Sequence, residues 1–296
     1  MVGRNLRDHL GLRAWDVAAP SRSDLDLQDY SSTLDFIRSF RPDVIVHAAG
    51  RVGGIQANIN NPTDFLVVNT DIGRNIVLAA KKCGVERLLN LGSSCMYPRD
   101  RDHAMVESEV LTGPLEPTNE GYALAKIFTQ RLCSYVRREN PALLYKTFLP
   151  CNLYGRYDSF SPEKSHLVPA AVRKVHEARR DGTPTVEIWG DGTARREFMF
   201  AGDLADAIVR AIASMESLPD LMNIGLGHDH SIHEYYATVA EVVGWSGDFV
   251  FNLERPTGMQ RKLIDISQQS QWGWAPRTSL TEGIRLTYDH FLSEVE

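Results

Sequence analysis

Apolar segments with many β-branched residues alternate with longer segments of helical period through the first half of the chain. The apolar segments at 43–50, 87–94 and 143–155 are typical of strands, and the segments at 64–84 and 121–140 are typical of helices. Strands and helices that alternate in this way build parallel sheets covered by helices. We therefore predict an α/β protein with a Rossmann-like, doubly wound parallel sheet.

The alternation is less regular after Gly155. Helices are predicted near 167–180, 231–245 and 280–295 and a strand at 185–190, separated by glycine-rich turns. This change in pattern predicts a second, smaller lobe interleaved with the first. The predicted division is a first domain over 1–155 and a lobe mainly over 156–296, with segments near 196–228 returning to the first domain.

Composition narrows the class of protein. The chain has 296 residues, 43% of them hydrophobic, and a net charge of -6, so it lacks the cationic excess of a sequence-independent nucleic-acid binder. Its four cysteines are widely spaced, which favours a reducing compartment. The charged amino terminus is unlike a signal peptide, and no run approaches the ~18 apolar residues of a membrane span. We expect a cytoplasmic protein that binds neither nucleic acid nor membrane.

Tyr122 and Lys126 are four residues apart on a predicted helix, so their side chains share one face. There the ammonium is expected to lower the pKa of the phenol and make it a usable proton donor. Ser93 follows an apolar strand, at the edge of the sheet where α/β proteins bind ligands. In an extended stretch Ser93 and Cys95 would face the same side and Ser94 the other.

The strand-end serine, Tyr122 and Lys126 resemble the catalytic set of the extended short-chain dehydrogenase/reductases. A closer resemblance, over essentially the whole chain, is to the GDP-L-fucose synthase family. It lies in GSSCMYP (92–98), LEPTNEGYALAK (115–126), PCNLYG (150–155), SHLVPA (165–170), WGDGTARREF (189–198) and RKLID (261–265). The resemblance implies a bifunctional enzyme that epimerises GDP-4-keto-6-deoxymannose at C3 and C5 and then reduces the C4 ketone with NADPH. It also implies a homodimer, an NADP-binding first domain and a substrate-binding second lobe.

Residue by residue, the resemblance implies three sets. The catalytic set is Ser93, Cys95, Tyr122, Lys126 and His166, with Cys95 and His166 as the base and acid of epimerisation. The cofactor NADP(H) is expected to contact Gly3, Arg22, Asp26, Leu27, Ala48, Ala49, Ser93, Lys126, Asn152, Leu153 and His166. The substrate is expected to contact Lys174, Trp189, Arg196 and Lys262.

Two further features support anionic ligands. Arg22 lies just past the expected second strand, where NAD enzymes usually place an acidic residue, and an arginine there can hold the 2′-phosphate of NADP(H). The doublets at 173–174, 195–196 and 261–262 supply the cations that a diphosphate needs on an anionic chain.

Several of these residues also have a purely structural interpretation. Cys95 could be a small buried thiol, His166 a hydrogen-bonded structural imidazole, Arg22 a solvated charge and Trp189 plain core or lobe-interface packing. His228, His230 and His233 are interpreted as a polar loop entering a helix capped by Ser231, not as metal ligands. His47, inside an apolar strand, is interpreted as a hydrogen-bonded core histidine.

The chain departs from the family pattern in three places. The family opens with a strand and a G-x-x-G-x-x-G phosphate loop, and here only the end of that loop is matched, with Gly3 as its third glycine. Because this first strand of the usual fold is absent, we expect either a segment upstream or an incomplete cofactor site, and favour the former. Residues 200–207 lack the usual valine-aspartate pair, and residues 156–158 read Arg-Tyr-Asp in place of Pro-His-Asp.

Two other functions remain open. A 4-reductase acting on a related GDP-4-keto-6-deoxy sugar, such as a 6-deoxy-heptose of a capsule pathway, would need the same motifs, because substrate choice depends on a few sugar-facing side chains. A non-catalytic nucleotide-sugar or dinucleotide-binding protein would tolerate the incomplete phosphate loop.

Overall fold

The main sheet has four parallel strands in the order β1, β2, β3, β8. The computed structural model describes residues 1–162, 165–255 and 258–295. The strands are β1 Val44–His47, β2 Arg87–Leu91, β3 Leu144–Pro150, β4 Asn152–Tyr154, β5 Thr185–Trp189, β6 Arg195–Arg196, β7 Phe198–Phe200, β8 Leu221–Ile224, β9 His230–Ser231, β10 Asp248–Asn252 and β11 Arg261–Lys262. The helices are α1 Val2–Arg7, α2 Tyr30–Phe40, α3 Ile55–Asn60, α4 Pro62–Cys83, α5 Glu120–Glu139, α6 Leu167–Asp181, α7 Ala201–Ala213, α8 Ile232–Val243, α9 Ser267–Trp272 and α10 Leu280–Val295.

Helices cover both faces of the main sheet. Leu88 on β2 packs with α2, α4 and α5, whereas its neighbour Leu89 packs with α7 on the opposite face. This division follows from the period of two along a strand, and it explains why β2 and β3 are buried nearly throughout. The predicted Rossmann-like parallel sheet, with its alternating strands and helices, is confirmed.

No strand forms just before Ser21, so the expectation that Arg22 follows the second strand of the sheet is wrong for the described structure. Residues 16–21 have no regular secondary structure, and two turns follow them. An extended segment becomes a strand only when a neighbour pairs with its backbone N–H and C=O groups. In the described sheet β1 is an edge strand, and no described segment pairs with residues 16–21.

A second hydrophobic cluster, made by α6, α8, α10 and β5, lies in the latter half of the chain. The parallel pair β5 and β10 joins this cluster, and a small sheet of β11, β6 and β9 lies beside it. Strand β8 returns to the main sheet beside β3. The division into two functional domains stays a prediction. Within the described chain, no helix is both long and apolar enough to cross a membrane.

Candidate active site

The hydroxyl of Ser93 lies close to both the Tyr122 phenol and the Cys95 thiol and acts to lower the pKa of each. These three side chains are called the Ser93 cluster. Ser93 follows the end of β2, and its oxygen also accepts a bond of 3.2 Å from the backbone N–H of Cys95. The expected extended stretch is wrong here, because residues 94–96 form a 3-10 turn capped by Ser93. Ser93 and Cys95 meet through this turn instead of through strand alternation, and Ser94 is buried.

Lys126 lies beneath Tyr122 on α5, with its Nζ 5.7 Å from the centre of the phenol ring. Its ammonium donates a 2.9 Å hydrogen bond to the carbonyl of Leu91 at the end of β2. The expected lowering of the phenol pKa is wrong: burial and the nearby Cys95 sulfur raise the pKa of Tyr122. Burial also lowers the pKa of Lys126 to about 8. Tyr122 is therefore a fully protonated donor at neutral pH.

The thiol of Cys95 is half-buried and has two nitrogen donors. Lys262 Nζ lies 3.3 Å and Asn119 Nδ2 lies 3.2 Å from the sulfur. Burial alone would raise the pKa of this thiol, but the Lys262 ammonium and the hydrogen bonds from Ser93, Lys262 and Asn119 outweigh burial and lower it. These contacts favour the thiolate form of the sulfur.

Asn119 was missed by the sequence analysis, although it lies in one of the quoted motifs. It occupies the N-cap position of α5 but its side chain makes no capping hydrogen bond. Asparagine at an N-cap normally accepts a bond from its own helix. Here its side-chain amide donates to the Cys95 sulfur instead. An asparagine three residues before the tyrosine is equally consistent with a helix cap and with a site residue, so the sequence alone did not identify its role.

His166 occupies the N-cap position of α6 and is half-buried. The carboxyl group of Asp158 faces it: burial raises the pKa of Asp158, and the positive charge of His166 opposes that rise. Tyr157, between Arg156 and Asp158, has a left-handed backbone and donates its hydroxyl proton to Asp8. The Arg-Tyr-Asp segment thus links α1 to the loop that leads towards His166.

The residues expected along the cofactor are distributed over four segments. They are Gly3 in α1, then Arg22, Asp26 and Leu27 in the loop before α2, Ala48 and Ala49 after β1, and Asn152 and Leu153 in β4. Arg22 is exposed and donates to Gln28, and Asn152 donates to the carbonyl of Glu197. None of the described hydrogen bonds of these residues reaches the Ser93 cluster.

His47, at the end of β1, is buried, but the interpretation as a fully hydrogen-bonded core histidine is wrong. Its Nδ1 has no hydrogen-bond partner among the described residues. Burial and the charge of Lys126 lower the pKa of His47 to about 3, so its ring stays neutral. A neutral ring avoids adding a second positive charge beside Lys126.

The basic doublets do not act as pairs of free cations. Arg173 pairs with Glu177, and the carboxylate of Asp229 binds Arg195 and Arg261 at 2.6 Å each. Asp229 is almost completely buried, and sequence analysis missed it because the two arginines it joins are 66 residues apart along the chain, 195 against 261. The other residue of each doublet is one that the family resemblance assigns to substrate binding, namely Lys174, Arg196 and Lys262.

Trp189, at the end of β5, is 41% exposed, so the interpretation as core packing is wrong. The ring lies near two cations, with Lys174 Nζ 5.8 Å and Arg255 Cζ 5.2 Å from its centre. Glu187 contacts both Lys174 and Trp189. Its backbone carbonyl accepts a hydrogen bond from Lys174 Nζ, and its carboxylate accepts one from Trp189 Nε1. The indole is therefore fixed in orientation at the surface of the second lobe.

The histidine-rich segment at 228–233 enters α8 as expected. Ser231 caps the helix, with Glu234 completing a reciprocal capping box. In the described parts of the chain, no three His, Cys, Asp or Glu side chains are grouped so as to hold a metal ion.

A parallel sheet with a strand-end serine against a Tyr-x-x-x-Lys helix places the protein among Rossmann-type sugar-nucleotide epimerases and reductases. The chain belongs to the NAD dependent epimerase/dehydratase family, whose family model matches residues 1–225. The resemblance inferred from the motifs is confirmed.

Relatives and solved structures agree with this assignment. The chain is 48% identical to the GDP-L-colitose synthase of Yersinia pseudotuberculosis over 294 residues, 99% of this chain and 96% of the relative. It is also 48% identical to the GDP-L-fucose synthase of Azorhizobium caulinodans over 293 residues, 99% and 94% of the two chains. A GDP-6-OMe-4-keto-L-xylo-heptose reductase from C. jejuni superposes with a TM-score of 0.90 at 27% identity, over 99% of this chain and 95% of that one. A GDP-mannoheptose C4 reductase from Campylobacter jejuni with NADP bound superposes with a TM-score of 0.87 at 28% identity, over 98% and 95%.

Proposed function

We propose that the protein converts a GDP-4-keto-6-deoxy sugar by epimerisation at C3 and C5 followed by NADPH-dependent reduction of the C4 ketone. The observation that carries this proposal is the placement of the Ser93 hydroxyl close to both the Tyr122 phenol and the Cys95 thiol, which brings the two groups together in one cluster. The phenol suits ketone reduction, and the thiol suits proton removal beside a ketone. The near full-length similarity to a GDP-L-fucose synthase and a GDP-L-colitose synthase supports the GDP-sugar class.

Epimerisation requires a base on one face of the sugar ring and an acid on the other. The Cys95 thiolate takes the proton from the carbon beside the ketone, and the C–H electrons move to the carbonyl oxygen to form an enolate. Ser93 and Tyr122 stabilise that oxygen by hydrogen bonding. His166 then delivers a proton to the opposite face of the carbon, and solvent restores both groups.

Reduction uses the same pair of donors. Bound NADPH supplies a hydride to C4. As negative charge develops on the C4 oxygen, Tyr122 gives its phenolic proton to that oxygen, and Ser93 keeps the oxygen in place. A high pKa suits this role, because the phenol stays protonated until the oxygen becomes strongly basic.

The residues of the first domain suit the nicotinamide cofactor. An ammonium has three N–H donors, and Lys126 uses one of them on the Leu91 carbonyl, so the others are available to ribose hydroxyls. Ala48 and Ala49 follow the carboxyl end of β1, the edge where Rossmann-like sheets hold their cofactors. The exposed guanidinium of Arg22 is available to the 2′-phosphate.

The proposal is tested by incubating the purified protein with NADPH and GDP-4-keto-6-deoxymannose and resolving the products by NMR. We expect NADPH oxidation and inversion at both C3 and C5. Reduction without inversion would favour the 4-reductase. Absence of NADPH oxidation with every GDP-4-keto sugar offered would favour a binding protein.

The 4-reductase remains the second candidate because of two observations. Residues 156–158 depart from the family pattern next to the loop leading to His166, and two of the superposed structures are named as GDP-heptose reductases. Its substrate would be a 6-deoxy-heptose analogue, and Cys95 would then serve substrate positioning alone.

Replacement of Arg22 by Ala is expected to weaken NADPH binding by roughly tenfold or more and to leave NADH binding nearly unchanged, because only NADPH carries a 2′-phosphate. Fluorescence titration of both cofactors measures the two constants. Lys82→Ala is the matched control, because it removes an exposed cation from the last turn of α4, where the chain leads into the amino end of β2. Equal losses for both cofactors would remove Arg22 from this role.

We also propose a cytoplasmic homodimer. The four cysteines are unpaired, which suits a reducing compartment. Helices α4 and α5 pack tightly on each other, and their outer surface exposes several large apolar side chains, namely Leu66, Val67, Leu124, Phe128 and Tyr135. Such a surface on two adjacent helices suits a twofold interface in which four helices pack together.

Phe128→Glu is expected to convert the dimer to a monomer, because it places a carboxylate in the centre of this apolar surface. Analytical ultracentrifugation gives the mass. Leu253→Glu changes an even more exposed apolar residue, 74% accessible, beyond β10 and should leave the mass unchanged. A Phe128→Glu protein that sediments like the wild type would place the interface elsewhere.

A further inference from the structure

The ammonium of Lys262 was expected to contact the substrate, yet in the structure it lies against the Cys95 sulfur. Its Nζ is 3.3 Å from that sulfur, and this is its one hydrogen bond to a described residue. No carboxylate in the described ranges lies within ion-pair distance of Lys262. A positive charge without a carboxylate beside a thiol is the arrangement that favours a thiolate.

Asp229 explains why Lys262 is left without a carboxylate. Strands β6 and β11 are parallel, with Arg195 opposite Arg261 and Arg196 opposite Lys262. The two arginines share one side of this pair and both bind Asp229. Because successive side chains of a strand alternate, Lys262 is directed to the other side, away from Asp229.

Glu197 holds the chain in place just beyond the carboxyl end of β11. Its carboxylate accepts hydrogen bonds from the backbone N–H groups of Leu226, Gly227 and Ile264, the last being two residues beyond Lys262. Burial raises the pKa of Glu197 to about 7, and these three donors oppose that rise. The backbone that carries Lys262 is therefore held at both ends of β11.

We propose that Lys262 holds the Cys95 sulfur as a thiolate in the ligand-free protein and is drawn away from it by the diphosphate of an arriving nucleotide sugar, which leaves the sulfur as a stronger base. The inference rests on the proposed function and adds a coupling between ligand binding and the base. A diphosphate carries more negative charge than one thiolate and offers several acceptor oxygens, so it competes effectively for the ammonium.

The proton balance of this exchange is simple. In the ligand-free state the sulfur has lost its proton to solvent and is paired with the ammonium. When the ammonium turns to the diphosphate, the sulfur takes up one proton, either from solvent or from the carbon beside the ketone. The substrate carbon is the productive source, so base strength rises only when a substrate is bound.

Few groups besides Lys262 can influence this titration. The charged or titratable groups facing the sulfur are the Lys262 ammonium from β11 and the Tyr122 phenol from α5, while Ser93 and Asn119 contribute neutral hydrogen bonds. The phenol stays neutral through the range of interest. A change in the titration of Cys95 therefore reports on Lys262.

The test follows the far-ultraviolet absorbance of the thiolate against pH, with the Cys95→Ser protein subtracted to remove the other cysteines. Inorganic pyrophosphate is the probe, because it carries the diphosphate charge and does not absorb there. We expect saturating pyrophosphate to raise the titration midpoint of Cys95 by about 1–2 pH units, the usual effect of losing a nearby opposite charge.

Two variants isolate the lysine. Lys262→Met should show the raised midpoint without pyrophosphate and no further response to it, whereas Lys262→Arg should keep the low midpoint of the wild type. Lys82→Met is the control, since it removes an exposed cation in the last turn of α4 that has no described contact with Cys95. It should leave the ligand-free midpoint unchanged.

Two results would overturn the inference. The first is a Lys262→Met protein with the wild-type midpoint, and the second is pyrophosphate that binds by calorimetry without moving the midpoint. Because the titration uses no sugar, its outcome is independent of whether the protein epimerises. A failed epimerisation assay with a normal titration would reject the proposed function alone.

Discussion

Replacement of Tyr122 by Phe is expected to lower the rate of ketone reduction by about 100-fold or more, because it keeps the ring and removes the proton donor. Hydride transfer to C4 would then build an alkoxide with no proton to neutralise it. Single-turnover oxidation of NADPH, followed by its absorbance, measures the step directly. Cofactor affinity should change little.

Tyr135→Phe provides a matched control on the same helix. Tyr135 lies on the outer surface of α5, 13 residues beyond Tyr122 and outside the Ser93 cluster, so removal of its hydroxyl should leave turnover unchanged. A Tyr122→Phe protein that reduced its substrate at nearly the wild-type rate would show that another group supplies the proton. A parallel measurement of NADPH affinity separates loss of the donor from loss of the cofactor site.

The second large effect is expected for Cys95→Ser, which preserves the size of the side chain and raises its pKa far above neutral pH. Substrate incubated with the wild-type protein in heavy water should acquire deuterium at C3 and C5 without NADPH, because proton removal precedes hydride transfer. In the variant, incorporation should fall by about 100-fold or more, while reduction of a ketone that is already epimerised survives.

Mass spectrometry of the recovered sugar nucleotide measures this exchange, and NMR locates the label. Cys83→Ser is the control, because Cys83 lies at the end of α4 and contacts the carbonyl of Leu34 instead of the Ser93 cluster. If the wild-type protein reduced its substrate without any solvent exchange, the epimerase half of the proposal would be eliminated and the 4-reductase would remain.

The main elements were predictable because their patterns are long and locally consistent. The apolar strand ending at Leu91 and the helix carrying Tyr122 and Lys126 each have a clear period, so the sheet edge and the serine-tyrosine pair followed from spacing. The resemblance then ordered the remaining motifs. Local pattern was enough wherever neighbours in sequence are also neighbours in the site.

The predictions that were wrong, and the contacts that were missed, concern features that depend on distant segments of the chain or on burial from solvent. The pairing of Arg195 and Arg261 with Asp229 depends on β6 and β11, two strands too short to show a periodic pattern in the sequence. The raised pKa of Tyr122 results from burial, which depends on the whole fold. The contact between Lys262 and Cys95 joins residues 167 positions apart, so only the folded chain shows it.

The position of Ser93 has a consequence for the strength of the Cys95 base. A hydroxyl has one hydrogen, so Ser93 can donate to the Cys95 sulfur or to a substrate oxygen but never to both at once. Each time the substrate oxygen claims that hydrogen, the sulfur loses a stabilising contact and binds protons more strongly. The hydrogen bond that stabilises the enolate oxygen therefore also strengthens the Cys95 base, so a single hydrogen couples charge stabilisation on the oxygen to proton removal from the neighbouring carbon.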